Sequence, residues 1–150
     1  MPTILGQLSR ATNLLSHHLE DRLTETGLYA TEYLVLRTAS ADPEATASQV
    51  KHSLGLRDAA FSDVVRRSLA RGYVTIGRPP RDRRTRRLAL TVPGLQTIRI
   101  ASAIHQDLEA TLGDPQRQLE LFQLLNALGD RLRAIPAATI LEDGLPLATA

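Results

Sequence analysis

The sequence predicts a mainly α-helical protein with one small β-hairpin, and three observations carry that expectation. Apolar residues recur at helical spacing through most of the chain. Glycines and prolines punctuate these runs at intervals suited to short helices. Residues 78–97, RPPRDRRTRRLALTVPGLQT, break the pattern with a basic turn between β-prone segments.

Taken in order, Leu5, Leu8, Ala11, Leu15, Leu19 and Leu23 recur three and four residues apart, which predicts an amphipathic helix over 4–25 that ends near Gly27. A second helix is expected from Ala30 to Ala41, with Tyr33, Leu34, Val35 and Leu36 on its apolar face and Asp42-Pro43 as its stop. Thr46 stands three residues before Gln49, the spacing at which hydroxyl and amide satisfy each other's free backbone donors at a helix start. That short helix holds Val50 and Leu54, and Gly55 turns the chain. The next helix, from Arg57 or Asp58 to Arg71, directs Phe61, Val64, Val65 and Leu69 to a core and ends at Gly72. Tyr73–Ile76 and Leu88–Thr91 then read as strands joined by the basic tip. Helix, glycine turn, helix and hairpin in that order make a winged helix-turn-helix.

Beyond the hairpin, Leu95, Ile98, Ala101 or Ser102, Ile104 or His105, Leu108 and Leu112 repeat at helical spacing until Gly113-Asp114-Pro115 interrupts them. A last helix over 115–135 carries Leu121, Phe122, Leu125, Leu128 and Leu132 in a stripe that Leu119 and Leu124 widen. A small winged helix cannot cover the first helix and the last two, so a second copy of the chain is expected to do so as a homodimer. The expected organisation is one unit over 1–135. Within it 28–94 form the winged helix, 4–25 and 92–135 form dimerisation helices, and 136–150 form a tail that is poorly ordered or draped on the dimer.

Charge locates the expected partner. Between Arg57 and Arg87 the chain has ten Arg and three Asp, a net of +7, while the remainder carries a net of −5. This is a localised footprint for nucleic acid rather than a mixed solvated surface. Arg81, Arg83, Arg84, Arg86 and Arg87 crowd the hairpin tip with a single acid, Asp82. Guanidinium groups there can enter a groove of double-stranded DNA and replace its condensed counterions.

The 150 residues, 43% of them hydrophobic, suffice for a real core. No apolar run approaches the roughly 20 residues that span a bilayer, and MPTILGQLSR lacks the features of a signal peptide. A cytoplasmic protein with no membrane partner is expected. The chain has no cysteine, which removes disulfides and thiol redox sensing. No cofactor and no metal are expected: His17, His18, His52 and His105 with Glu20 or Asp107 have no compact ligand spacing, and adjacent histidines on a helix point about 100° apart. Nor does the sequence present a nucleophile with its base, a carboxylate pair or a phosphate-cradling loop, so no enzyme is expected.

The successive segments GLYATEYLVLRTA, TASQVKHSLGL, LARGYV and RPPRDRRTRRLALTVPG resemble the signatures of the MarR family of bacterial transcription regulators, over most of residues 4–135. The most specific piece is the wing, where Asp82-Arg83-Arg84 is similar to the family's D-x-R and Leu90-Thr91 with Gly94 to its L-T-x-x-G. The resemblance implies a homodimer that binds a pseudo-palindromic operator, as a repressor, with a recognition helix in the major groove and a wing arginine in the minor groove. It implies a ligand pocket between the dimer helices and the winged helix, and release by a lipophilic or phenolic effector. His17, His18, Tyr29, Tyr33 and His105 are the residues available to line that pocket.

Carried onto this chain, the recognition helix starts at Arg57. Arg57, Asp58, Ala59 and Ala60 stand where the family often has Ser or Thr, Asp63 where a basic residue is frequent, and Ser68 where a core Leu is usual, with Leu69 expected to take over its packing. Arg57, Ser62, Arg66 and Arg67 lie on or near the exposed side, where arginine reads guanine edges or holds phosphate. Asp82 is expected to brace the wing, since a carboxylate facing phosphate is repelled. Arg81, Arg83 and Arg84 compete for the groove-inserting place. The rival reading is a winged-helix module for protein interaction or RNA binding, which would lack sequence preference on duplex DNA.

Overall fold

The computed structural model describes residues 3–78 and 85–135, so Arg81, Asp82, Arg83, Arg84 and the segment 136–150 lie outside the described residues. The chain forms two compact units, Met1–Leu108 and Glu109–Ala150.

In the first unit, α1 (Ile4–Leu23) starts at Thr3, whose hydroxyl accepts from the Gly6 N–H at 3.0 Å and so satisfies one of the free donors of the first turn. A short 3-10 turn follows and ends at Gly27, whose φ of 71° is the left-handed region that favours glycine. Next come α2 (Ala30–Ala41) and α3 (Ala47–Ser53). The expected capping box is complete: the Gln49 N–H donates to Thr46 Oγ1 at 3.1 Å, and the Thr46 N–H donates to Gln49 Oε1 at 2.8 Å. Gly55, with φ 63°, makes the turn into α4 (Asp58–Ala70).

The hairpin pairs β1 (Val74–Gly77) antiparallel with β2 (Arg87–Leu90), Val74 opposite Leu90 and Gly77 opposite Arg87. Both strands are displaced by one residue from expectation, toward the hairpin tip. The reason is the backbone of Tyr73, which donates to the Ser68 carbonyl and accepts from the Thr91 N–H, both at 2.9 Å. Tyr73 and Thr91 thus join the hairpin to its flanking helices. The chain then enters α5 (Val92–Ala110).

Two buried clusters hold this unit together, and α2 serves both. Tyr33 and Leu36 join Leu19, Leu23, Val74 and Ile98, while Val35 and Ala39 join Val50, Phe61, Val64 and Leu88. Each fully buried side chain of this size contributes roughly 1.5–3 kcal/mol. The expected single face on α2 is corrected: four consecutive residues sweep around the helix, and Leu34 falls on the side that neither cluster covers and is exposed. On α4, Leu69 does not take over the core position. Phe61, Val64 and Ser68 follow the three- and four-residue spacing of the inner face, so Ser68 is buried and Leu69, about 100° round, is exposed.

The second unit is built on α6 (Pro115–Arg133), which ends two residues short of expectation. Asp114 caps it, accepting from the Gln116 and Arg117 N–H groups at 3.0 and 3.1 Å, with Pro115 in the first turn, where a missing donor costs nothing. No residue of α6 is buried, and Leu119, Leu121, Phe122, Leu124, Leu125 and Leu132 are all exposed. Leu112, Leu119, Phe122 and Leu125 line an apolar groove of about 500 Å³.

Candidate nucleic-acid interface

The helix-turn-helix is α3, the Gly55 turn and α4, and the hairpin closes its side: the Ala47 N–H at the start of α3 donates to the Arg86 carbonyl at 2.7 Å. Between them runs a groove of about 510 Å³ with Phe61, Val65, Leu69, Ile76 and Leu88 among its apolar walls. Lys51, Arg66 and Arg86 bring cationic side chains to the same groove.

The expected DNA-contacting residues divide by their partners. Arg57 is the N-cap of α4 and is exposed, as is Ser62 one turn further on. Arg66 is exposed and forms an ion pair with Asp63 at 2.7 Å, so Asp63 partly neutralises the cation it precedes. Arg67 is half-buried, its guanidinium 4.7 Å from the centre of the Tyr29 ring in a cation–π contact. Arg86 is exposed. Arg87 lies on β2 rather than in the tip and pairs with Glu44 at 2.6 Å. At the start of α4, Asp58 accepts a hydrogen bond from Lys51, and that bond, with the ammonium's charge, holds its carboxyl below the usual aspartate range.

Of the expected pocket residues, the structure brings Tyr33 and His105 together, with ring centres 5.4 Å apart. Arg37, which the sequence reading passed over, completes the group: it donates to Tyr33 Oη at 3.4 Å and contacts both ring nitrogens of His105. The signal for it was its position one helical turn after Tyr33. His17 and His18 are exposed on α1, and Tyr29 is exposed beneath Arg67. Among the described residues, no three His, Asp or Glu side chains gather as a metal site. No described helix is long and apolar enough to cross a membrane.

No protein-family model and no curated protein matches this chain. Solved structures do. The transcriptional repressor CouR bound to a 23-mer DNA duplex superposes with a TM-score of 0.72 at 23% identity, covering 84% of this chain and 92% of that one. CouR from Rhodococcus jostii RHA1 bound to p-coumaroyl-CoA gives a TM-score of 0.69 at 25% identity, covering 87% and 90%. A MarR-family transcriptional regulator from Rhodococcus sp. RHA1 gives 0.69 at 24% identity, covering 83% and 89%.

Proposed function

We propose that this chain, whose fold is that of a MarR-family transcriptional regulator, is a DNA-binding transcriptional regulator, a repressor acting as a homodimer on a pseudo-palindromic operator. The observation that carries the reading is the helix-turn-helix itself: exposed Arg57 opens α4, and Arg66 and Arg86 line one groove between that helix and the hairpin. The same fold is seen on duplex DNA in CouR. Arg81, Arg83 and Arg84 extend this charge in sequence. The exposed apolar sides of α6 and of the first half of α1 support a two-fold partner. In such a dimer, recognition helices about 34 Å apart read half-sites centred roughly 10 base pairs apart. The reading assigns no catalytic role to any residue.

The effector reading rests on Tyr33, Arg37 and His105. An arginine beside a phenol and an imidazole suits a phenolic carboxylate, and CouR is seen with p-coumaroyl-CoA. A ligand held there releases DNA only if it prefers the conformation that does not fit the operator.

The test is selection of duplexes from a random pool, followed by affinity measurement across salt concentrations. An operator reader shows a steep salt slope together with sequence preference. Binding without enrichment of any inverted repeat would favour the protein-interaction reading.

A further inference from the structure

The inner face of α4 carries a polar group at a place where an apolar side chain would cost less. Glu32 has no exposed surface and Ser68 is 1% exposed. Ser68 Oγ donates to Glu32 Oε1 at 2.9 Å, and Arg71 Nη1 pairs with Glu32 Oε2 at 3.3 Å. The same Arg71 nitrogen donates to the carbonyl of Gly27, the left-handed residue that ends the turn after α1.

A buried carboxylate is costly unless it is paired and hydrogen-bonded. Glu32 is the third residue of α2, where a glutamate ordinarily folds back onto a Ser or Thr cap. Here the N-cap is Tyr29, which makes no side-chain capping bond, so the carboxylate reaches across to α4 instead. Its place in the first turn of α2 favours the negative charge. Arg67 adds a second grip through the Tyr29 ring. Arg67 and Ser68 of α4, and Arg71 at its C-cap, are thereby held by Tyr29, Glu32 and Gly27 at the α1–α2 junction.

We infer that Glu32 is a positioning residue for DNA reading: through Ser68 and Arg71 it fixes the rotation and register of α4 against the start of α2. This rests on the regulator reading above. Apolar packing at the same place would supply comparable stability but no direction, whereas a carboxylate with two aimed donors accepts one arrangement. A helix whose side chains must meet base edges needs placement to about half an ångström, which such supporting contacts provide.

The test uses the full-length protein and Glu32→Gln, Ser68→Ala and Arg71→Lys variants. The wild type first selects a duplex from a random pool; affinities for that duplex and for a scrambled one are then measured at several salt concentrations, beside melting and sedimentation. Each substitution is expected to weaken binding to the selected duplex about tenfold, with scrambled-duplex affinity and the salt slope unchanged. The Glu32→Gln/Ser68→Ala double variant should lose little more than the worse single one, since both act through one contact. Folded variants that melt lower but bind the selected duplex as tightly as wild type overturn the inference and leave a structural contact. Arg71→Lys, on a partly exposed side chain, keeps a cation but loses the reach to two acceptors; it decides the matter if the buried variants do not fold. A wild type that enriches no sequence overturns the regulator reading, and this inference with it; enrichment with unaffected variants overturns this inference alone.

Discussion

Gly94 lies so close to the backbone of Tyr73 that a Cβ on it would be 2.1 Å from the Tyr73 carbonyl oxygen. The contact belongs to a small knot at the entry to α5. Thr91 accepts from the Gly94 N–H at 3.2 Å and gives its own hydroxyl proton to the Gly72 carbonyl at 2.5 Å. The Leu90-Thr91 and Gly94 signature is therefore a packing requirement: the threonine caps the helix start and the glycine lets it approach the hairpin.

Gly94→Ala should consequently destabilise the fold by about 3 kcal/mol, because α5 must move its whole first turn to make room. Thermal melting measures this, and a variant that melts with the wild type would show that the entry to α5 has slack.

Among the arginines, Arg57 and Arg87 should behave differently. Arg57 is exposed at the start of α4, and Arg57→Ala should weaken selected and scrambled duplexes alike and reduce the magnitude of the salt slope by about one. Arg87 already pairs with Glu44, so Arg87→Ala should leave the salt slope closer to wild type. Fluorescence anisotropy at four salt concentrations compares the two.

The proposed dimer seam is tested by Leu125→Glu, on the exposed side of α6. Placing a carboxylate into an apolar interface costs several kcal/mol. The variant should sediment as a monomer or unfold, where the wild type sediments as a dimer at micromolar concentration.

Asp58 gives a pH signature. Its carboxyl titrates below the usual aspartate range because Lys51 hydrogen-bonds and charge-stabilises the ionised form. A lowered folded-state pKa means that this contact supports the native state above the ordinary aspartate pKa and is lost as pH falls through the lowered one. Carboxyl carbon NMR should show the low midpoint, and Lys51→Ala should raise it toward the usual value.

If Tyr33, Arg37 and His105 receive an effector, small phenolic acids should weaken operator binding, and Arg37→Ala or Tyr33→Phe should blunt that response while the variants still bind DNA. Unchanged operator affinity across a broad screen of aromatic acids would make the protein a constitutive binder.

The order of the helices, the capping box of Thr46 with Gln49, the glycine turns and the existence of the hairpin are all legible in the residues alone. These features are local: each depends on side chains and backbone groups within a few residues, so spacing along the chain is enough to read them. Packing settles which of several neighbouring residues faces inward. Leu69 and Ser68 are adjacent, and hydrophobicity alone favours burying the leucine, yet the serine holds the inward position, where Glu32, distant in sequence, meets it with a carboxylate. Likewise the sequence could count the arginines but not assign them: Arg67 is drawn over Tyr29 and Arg87 to Glu44, while Arg57 and Arg86 remain exposed. Arg37 became part of a group with Tyr33 and His105 only when α5 brought the histidine alongside α2. A polar side chain's role is set by the partner it meets, and partners distant in sequence are supplied by the packing of elements rather than by their periodicity.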